Sequence, residues 1–389
     1  MRAEMGADEV AADGFVVPLA VRMLRDLAGR VASAVSGSVP LVEDEGRSAM
    51  VLKEPVGVVL GIVPWNAPYV FGVRSAACAL AAGCTTVLKA SELAPRSYWA
   101  VARAFAEAGL PPGCLNVVSC AAGDAAEVVG AMIAHPAVRK VNFTGSTAVG
   151  RKVAAACGEN LKPCLMELGG KNCAVVCEDA DLKLAAESVV AGAFLNICMS
   201  TDRIIVHAAV AEPFFEALRT AADKQAASER PTLVSAASRA RVQALLSSAV
   251  SAGARVLVGS SRAADTGDEP GVRVTPTILT GADETMAMWN EEAFAPLAAC
   301  TVVDDDDRAV ALANRGGYGL SAAVFTEDLR RGLALARRIE SGAVHINSMT
   351  VHDEPALPHG GVKDSGWGRF NADMGLDEFL VTKTVTWKD

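Results

Sequence analysis

Four short segments of the sequence place polar or reactive side chains beside glycine or directly after an apolar run. In the first, PWNAP over residues 64–68, Asn66 follows a predicted strand. Ligands of open parallel sheets bind at the carboxyl ends of the strands, and an asparagine amide placed there can donate to a developing oxyanion. Taken alone, this segment favours a plainer interpretation, an asparagine in a proline-flanked turn.

The second segment, VLKASE over residues 87–92, ends another predicted strand and contains Lys89 and Glu92. The carboxylate could accept hydrogen bonds from the hydroxyls of a ribose, while the ammonium adds a donor. A glutamate here would repel a 2′-phosphate, which favours NAD over NADP. A helix start capped by Ser91 and Glu92 explains the same residues equally well.

The third segment, FTGSTAVG over residues 143–150, connects a predicted strand to a predicted helix. Gly145 would let the backbone approach a ligand closely, and a helix that begins at Ser146 or Thr147 presents N–H groups to a pyrophosphate. The GxGxxG fingerprint of dinucleotide-binding turns is absent. The alternative is an ordinary capped helix.

The fourth segment, ELGGK over residues 167–171, is followed about thirty residues later by Cys198 in NICMS. A cysteine nucleophile needs a lowered pKa, and water that attacks its adduct needs a general base such as Glu167. The chain has ten cysteines, most of which we expect in the core. The residue pattern alone therefore does not single out Cys198.

Apolar runs alternate with alanine-rich segments along the chain, which predicts a parallel sheet covered on both faces by helices. Strands are predicted over residues 58–63, 85–89, 115–119, 140–143, 173–176 and 203–207, with helices over 69–82, 96–108, 125–133 and 182–194 and from 147. Residues 261–271 are polar and predict a surface loop, and the alternating residues of 380–387 predict a final strand. We expect two α/β units.

The composition limits the function classes. The chain has 389 residues, a net charge of −9 and 51% hydrophobic residues, which is typical of a soluble globular protein with a large core. The acidic balance argues against a nucleic-acid binder. The sequence predicts neither a secretory signal nor a membrane span. Cysteines in apolar surroundings, without metal-ligand spacing, predict a cytoplasmic protein that holds no metal.

Taken together and in this order, PWN, LKASE, FTGST, ELGGK and EEAFAP resemble the aldehyde dehydrogenase superfamily from about residue 16 to the C-terminus. Residues 350–370, TVHDEPALPHGGVKDSGWGRF, are similar to the branch that oxidises aromatic aldehydes such as salicylaldehyde, vanillin and benzaldehyde. The resemblance implies an α/β fold with a Rossmann-like cofactor domain over 1–166 and an α/β catalytic domain over 167–374. A small bridging β element, formed by a strand near 48–56 and by 375–389, would join copies into a dimer or tetramer.

The resemblance also implies a role for each motif residue. Cys198 would attack the aldehyde to give a thiohemiacetal, while Asn66 and the Cys198 N–H hold the oxyanion. Hydride transfer to NAD, or to NADP, would leave a thioester, and Glu167 would activate the water that releases the acid. The implied cofactor contacts are Trp65, Lys89, Glu92, Gly145, Ser146, Leu168, Glu292 and Phe294.

Two departures from the family pattern lie at the N-terminus and beside Cys198. Only 63 residues precede Pro64, so we expect part of the outer layer of the cofactor domain to be missing. The family's Asn-x-Gly-Gln-x-Cys is contracted to Asn196-Ile197-Cys198. The loss of three residues removes roughly 10 Å of extended chain, and we expect the flanking helix or loop to rearrange.

These departures leave two alternatives to the dehydrogenase. One is an enzyme of the same fold that uses Cys198 for ester or thioester hydrolysis, or for an isomerisation, without nicotinamide. The other is a catalytically silent scaffold that binds an oligomeric partner.

Overall fold

The computed structural model describes residues 1–7, 9–226, 232–261 and 273–388. The predicted surface loop over 261–271 lies, apart from Ser261, outside the described residues. Within the described residues the helices are α1 (Arg2–Met5), α2 (Val17–Ala34), α3 (Pro68–Ala81), α4 (Pro95–Glu107), α5 (Ala125–Ala134), α6 (Thr147–Glu159), α7 (Leu182–Ala193), α8 (Ala211–Ala226), α9 (Ala236–Ser251), α10 (Ala287–Asn290), α11 (Asp306–Asn314), α12 (Leu329–Arg338) and α13 (Ala372–Asp377).

The strands alternate with these helices through most of the chain. They are β1 (Arg47–Pro55), β2 (Val58–Ile62), β3 (Thr85–Lys89), β4 (Leu115–Val118), β5 (Val138–Thr144), β6 (Cys164–Glu167), β7 (Asn172–Val176), β8 (Thr201–His207), β9 (Arg255–Val258), β10 (Thr277–Thr280), β11 (Leu297–Val303), β12 (Ser321–Phe325), β13 (Ala343–Ile346), β14 (Gly366–Trp367) and β15 (Leu380–Lys388). The predicted strands and helices are confirmed, with bounds that differ by no more than two residues.

The chain divides into two compact units. The first comprises Met1–Glu167, Asp353–Gly360 and the chain from Trp367 onward, and the second comprises Leu168–His352 and Gly361–Gly366. The functional domain bounds given above, 1–166, 167–374 and 375–389, stay predictions.

The first unit is built on a sheet with the strand order β14-β6-β5-β2-β3-β4. Strands β2 to β6 pair in parallel, and the middle of β2 is buried on both faces. This two-sided burial explains why β2 is a continuous apolar run in the sequence rather than an alternating one. From β2 the chain proceeds to β3 and β4 on one side, whereas β5 and β6 lie on the other side. The order of the strands therefore reverses between β2 and β5, and such a reversal is where open α/β sheets bind ligands.

The second unit has its own sheet, with the order β13-β12-β7-β8-β11-β10-β9. Successive residues of β7 point to opposite faces, as the period of a strand requires. Cys173 and Val175 join one apolar cluster, and Ala174 and Val176 join the other. Helices therefore cover this sheet on both faces, as the sequence predicted.

Strands β1 and β15 form a separate antiparallel pair within the first unit, in register from Arg47 opposite Lys388 to Pro55 opposite Leu380. Most of β15 is exposed. The β pair expected from residues 48–56 and 375–389 is thus present, and its bridging of copies stays a prediction.

Two negative findings concern the described residues only. None of their helices is long and apolar enough to cross a membrane. No group of three or more His, Cys, Asp or Glu side chains among them is arranged to hold a metal ion.

Candidate active site

The turn after β2 holds Trp65 and Asn66, which are both half-buried. Directly after this turn, Pro68 begins α3, which suits the fixed φ of proline at the first helical position. The hydroxyl of Tyr98 donates to the carbonyl of Pro64 at 2.5 Å. Burial raises the pKa of Tyr98 well above its usual value, so this hydroxyl remains a donor. Asn66 is thus in a proline-flanked turn and at a carboxyl end of the sheet, and the two interpretations are compatible.

Lys89 and Glu92 lie at the end of β3, the next strand in the sheet. Lys89 is buried, Glu92 is exposed, and the Nζ of Lys89 lies 3.5 Å from the Oε2 of Glu92. The two groups, three residues apart in sequence, form an ion pair, and its carboxylate faces solvent. Hydroxyl groups of a ribose could hydrogen-bond to that carboxylate.

The alternative interpretation of this segment, a helix start capped by Ser91 and Glu92, is wrong. The helix begins only at Pro95, and Ser91 instead accepts a hydrogen bond from the N–H of Leu93 at 3.3 Å. The first turn of α4 is capped by Glu4, whose carboxylate accepts from the N–H groups of Arg96 at 2.7 Å and Ser97 at 3.0 Å. Glu92 is thereby left outside the helix.

Gly145 and Ser146 connect β5 to α6, and α6 begins at Thr147 as predicted. A Cβ on residue 145 would lie 2.6 Å from the ring of Phe143, which explains the glycine. Ser146 is the N-cap residue, but its side chain makes no capping hydrogen bond. The alternative interpretation, an ordinary capped helix, is therefore not supported by a side-chain cap at this helix start. The N-terminus of a helix carries a partial positive charge, so the start of α6 beside Gly145 suits an anionic group.

Glu167 ends β6 and is 1% exposed. Neither carboxylate oxygen has a hydrogen-bond partner within the described residues. The nearest basic side chain is that of His359, whose Nε2 lies 3.6 Å from Oε1 of Glu167. A buried carboxylate without hydrogen bonds is costly, and such costs concentrate at functional sites.

The first unit therefore gathers most of the predicted contacts at one edge. Asn66 follows β2, Lys89 ends β3, Gly145 follows β5 and Glu167 ends β6. These four strands are adjacent and parallel, and the strand order reverses between β2 and β5. An ion pair that can bind a ribose and a helix start that can bind a pyrophosphate fit a dinucleotide.

In the second unit, Cys198 lies in a tight turn after α7. The turn is closed by hydrogen bonds from Ser200 N to Ile197 O at 3.0 Å and from Ile197 N to Ser200 Oγ at 2.9 Å. Asn196 adopts a left-handed φ of 54°, a conformation that asparagine tolerates better than most residues. Cys198 is half-buried and packs with the apolar cluster around Met199.

Asn172 and Gly170 contact the turn that contains Cys198. The side-chain amide of Asn172 donates to the carbonyls of Cys198 and Ser200, both at 2.8 Å. A Cβ on Gly170 would clash with the carbonyl oxygen of Cys198. The second glycine of ELGGK is therefore required by the close approach of the cysteine loop.

The other predicted contacts of the second unit lie near the same segment. Glu292 accepts a hydrogen bond from the N–H of Gly170 at 3.0 Å, and burial raises the pKa of Glu292 to about 7. Phe294 has a left-handed φ of 46°, a strained conformation for an aromatic residue. Leu168 is buried and donates its N–H to Ser365 O at 3.0 Å.

The sequence profile of the aldehyde dehydrogenase family matches residues 1–385. The chain belongs to the aldehyde dehydrogenase family. Vanillin dehydrogenase of Pseudomonas fluorescens is 44% identical over 383 residues, which cover 96% of this chain and 78% of that protein. Salicylaldehyde dehydrogenase of Pseudomonas putida is 36% identical over 397 residues, with coverages of 99% and 80%.

Solved structures of the family have the same fold. The salicylaldehyde dehydrogenase of Pseudomonas putida G7, complexed with salicylaldehyde, has a TM-score of 0.93 at 33% identity, covering 99% of this chain and 80% of that chain. A point mutant of betaine aldehyde dehydrogenase from Staphylococcus aureus, in complex with NAD+, has a TM-score of 0.93 at 29% identity, with coverages of 100% and 78%. The superfamily and its aromatic branch, inferred from the motifs, are confirmed, and so are the fold and the enzyme class.

Three side chains of this aldehyde dehydrogenase contact motif residues but were not found from the sequence. His359 lies beside Glu167, Asn172 holds the cysteine loop, and Arg241 donates to the carbonyls of Glu292 at 2.6 Å and Ala293 at 2.7 Å. His359 stands in the segment that suggested the aromatic branch, yet nothing in that segment indicates that it reaches β6. For Arg241 the sequence carries no signal.

Proposed function

We propose that the protein oxidises an aromatic aldehyde to the carboxylic acid with NAD. The observation that carries this proposal is the row of Asn66, Lys89, Gly145 and Glu167 at the carboxyl edge of one parallel sheet, where its strand order reverses. The names of the vanillin and salicylaldehyde relatives support an aromatic substrate.

The proposed chemistry begins at Cys198, whose thiolate adds to the carbonyl carbon to give a thiohemiacetal. The amide of Asn66 and the N–H of Cys198 would stabilise the oxyanion. Bound NAD would supply the hydride acceptor, so that a thioester remains on Cys198. Glu167 would then accept a proton from water, whose oxygen attacks the thioester and releases the acid and the thiol. Aldehyde, NAD and water thus give acid, NADH and one proton.

The predicted cofactor contacts would have separate roles. Lys89 and Glu92 would bind the adenine ribose, and the exposed carboxylate favours NAD over NADP because it would repel a 2′-phosphate. Gly145 and Ser146 would bind the pyrophosphate, with Trp65 and Leu168 as further contacts. The Glu292 carboxylate and the Phe294 ring would bind the nicotinamide end.

We also propose that the protein is a cytoplasmic homo-oligomer. Buried cysteines that pack as ordinary core residues, such as Cys173 and Cys300, support a reducing compartment. The exposed strand β15 supports association of copies through the bridging pair, because an exposed edge strand is a template for pairing.

The test is nicotinamide reduction by purified protein with NAD, then NADP, over a panel of benzaldehyde-type and aliphatic aldehydes. Turnover should vanish in Cys198→Ala and persist in Cys114→Ala, a matched control in a half-buried turn. Absence of turnover together with absence of NAD binding by calorimetry would refute the dehydrogenase. Cys198-dependent hydrolysis of a nitrophenyl ester would then favour the cofactor-free enzyme, and a Cys198 inert to iodoacetamide would favour the scaffold.

A further inference from the structure

The first unit contains a line of four buried ionisable side chains that ends at Glu167. The guanidinium of Arg74 pairs with Oδ2 of Asp353. Nδ1 of His359 lies 3.9 Å from Oδ1 of Asp353, and its Nε2 lies 3.6 Å from Oε1 of Glu167. None of the four is more than 9% exposed.

The end of this line at Asp353 is firmly anchored. Asn371 donates to Oδ1 of Asp353 at 2.9 Å, and the guanidinium of Arg74 lies over the rings of Phe71 and Phe370. Burial alone would raise the pKa of Asp353, but Arg74 and His359 outweigh it and hold the pKa below its usual range. Asp353 is therefore a permanent negative charge on one side of the imidazole.

The backbone fixes His359 as well. His359 exchanges two hydrogen bonds with Phe370, from His359 N to Phe370 O at 2.9 Å and from Phe370 N to His359 O at 2.8 Å. The neighbouring cation, Arg369, donates its Nη1 to the carbonyl of Gly368 at 2.7 Å. The imidazole is thus held between two carboxylates.

The charges of this line balance in only one state with both carboxylates ionised. Arg74 contributes one positive charge, and Asp353 and Glu167 contribute two negative charges, so a neutral His359 would leave one uncompensated buried charge. Burying an unpaired charge is strongly unfavourable. The Nε2 of His359 is placed to give Glu167 the donor that its oxygens otherwise lack within the described residues.

We propose that His359, anchored by Asp353, is a positioning residue that donates from Nε2 to the Glu167 carboxylate and fixes its orientation. This proposal rests on the proposed function in one respect, that Glu167 is the base which accepts the proton of the attacking water. A small side-chain adjustment would bring the 3.6 Å separation of Nε2 and Oε1 into hydrogen-bond range. His359 itself need not touch the substrate.

The first experiment reads the pairing in the resting protein, without any turnover. The chain has five histidines, so the imidazole 15N resonances of histidine-labelled protein can be assigned to His359 by their loss in His359→Asn. Glu167→Gln should shift the ring-nitrogen resonances of His359, because it replaces the carboxylate that faces Nε2. Glu107→Gln, the same change at an exposed site, should leave them in place. A His359 signal that does not respond to Glu167→Gln overturns the proposal.

The second experiment measures the hydrolytic step by rapid mixing of enzyme, NAD and aldehyde. In His359→Asn the first turnover of NADH should form at the wild-type rate and amplitude, because acylation does not need Glu167 as base. The following steady state should be about 10- to 100-fold slower, the loss typical of a charge-assisted hydrogen bond.

Two matched variants separate positioning from a general structural defect. His359→Gln keeps an amide donor towards Glu167, so it should recover part of the rate. His135→Asn makes the same change at an exposed position and should behave as wild type. A steady-state rate of His359→Asn equal to that of wild type overturns the proposal. If the wild type oxidises no aldehyde, the proposed function fails, and the 15N experiment alone decides whether His359 pairs with Glu167.

Discussion

Replacement of Asn172 by alanine should loosen the cysteine loop more than any other single change in its support. Asn172 is 2% exposed and makes three hydrogen bonds. Its Nδ2 donates to the carbonyls of Cys198 and Ser200, both at 2.8 Å, and its Oδ1 accepts from the N–H of Ser321 at 3.0 Å. Asn172→Ala removes all three hydrogen bonds at once.

The magnitude follows from these contacts. A net contribution of about 1 kcal/mol per hydrogen bond gives a loss of about 3 kcal/mol in the free energy of unfolding of the second unit. Asn172→Asp should cost at least as much, because its carboxylate can still accept from Ser321 but would face two carbonyl oxygens. Asn160→Ala is the matched control, since Asn160 makes one local hydrogen bond, to Ala156 O at 2.9 Å. That change should cost about 1 kcal/mol or less.

Two assays test this prediction. Urea denaturation gives the loss of stability, and hydrogen exchange resolved by residue should show that the N–H of Ser321 loses protection in Asn172→Ala. Alkylation of Cys198 by iodoacetamide should also change in rate, because the turn no longer holds one geometry. If Asn172→Ala costs no more than Asn160→Ala and Ser321 stays protected, the three hydrogen bonds do not support the loop and the reasoning fails.

Three further predictions concern Glu292, Tyr98 and Glu4. The pKa of Glu292 is about 7 in the folded chain, whereas its ordinary value is 4.5. Between pH 4.5 and pH 7 the folded chain therefore retains a proton that the unfolded chain has released. Stability should therefore fall as pH rises from 5 to 7, by at most about 3 kcal/mol, and urea titrations at several pH values should show no such fall in Glu292→Gln. Tyr98→Phe leaves the carbonyl of Pro64 without its donor and should cost about 1–2 kcal/mol in urea denaturation, with weaker NAD binding by calorimetry. Glu4→Ala removes the cap of α4 and should cost about 1 kcal/mol. Because the hydrogen bonds from Ser97 and Arg96 outweigh burial and lower the pKa of Glu4 from its ordinary 4.5, the wild-type advantage in thermal unfolding should persist at neutral pH and be lost as pH falls through the lowered pKa.

Local periodicity was sufficient to predict most of the fold. The run 85–89 is β3 with the same bounds, and residue 147 begins α6, because buried parallel strands and alanine-rich helices differ in length and composition. The bounds of α4 were predicted to within one residue, but the alternative helix start capped by Ser91 and Glu92 was wrong for a physical reason. The cap of α4 comes from Glu4, which is more than ninety residues away in sequence, and no local pattern can reveal a cap that another segment supplies.

The candidate site was predictable only where the family resemblance covered it. The motifs named Glu167, but the buried partner of its carboxylate is His359, nearly two hundred residues later. Likewise Arg241, whose guanidinium holds the backbone at Glu292, lies in an ordinary-looking helix. Such long-range partners depend on which segments the fold brings together, and strand order is not encoded in periodicity.

Gly170 links two parts of the second unit that the sequence presents as separate motifs. Its N–H donates to Glu292, and its Cα faces the carbonyl of Cys198 so closely that a side chain would clash. Both contacts depend on the same peptide, since one uses the nitrogen and the other the space beside the Cα. A shift of the cysteine loop would therefore press on Gly170 and disturb the hydrogen bond that orients Glu292. The contracted Asn196–Cys198 loop must be accommodated at this glycine as well as at the cysteine itself.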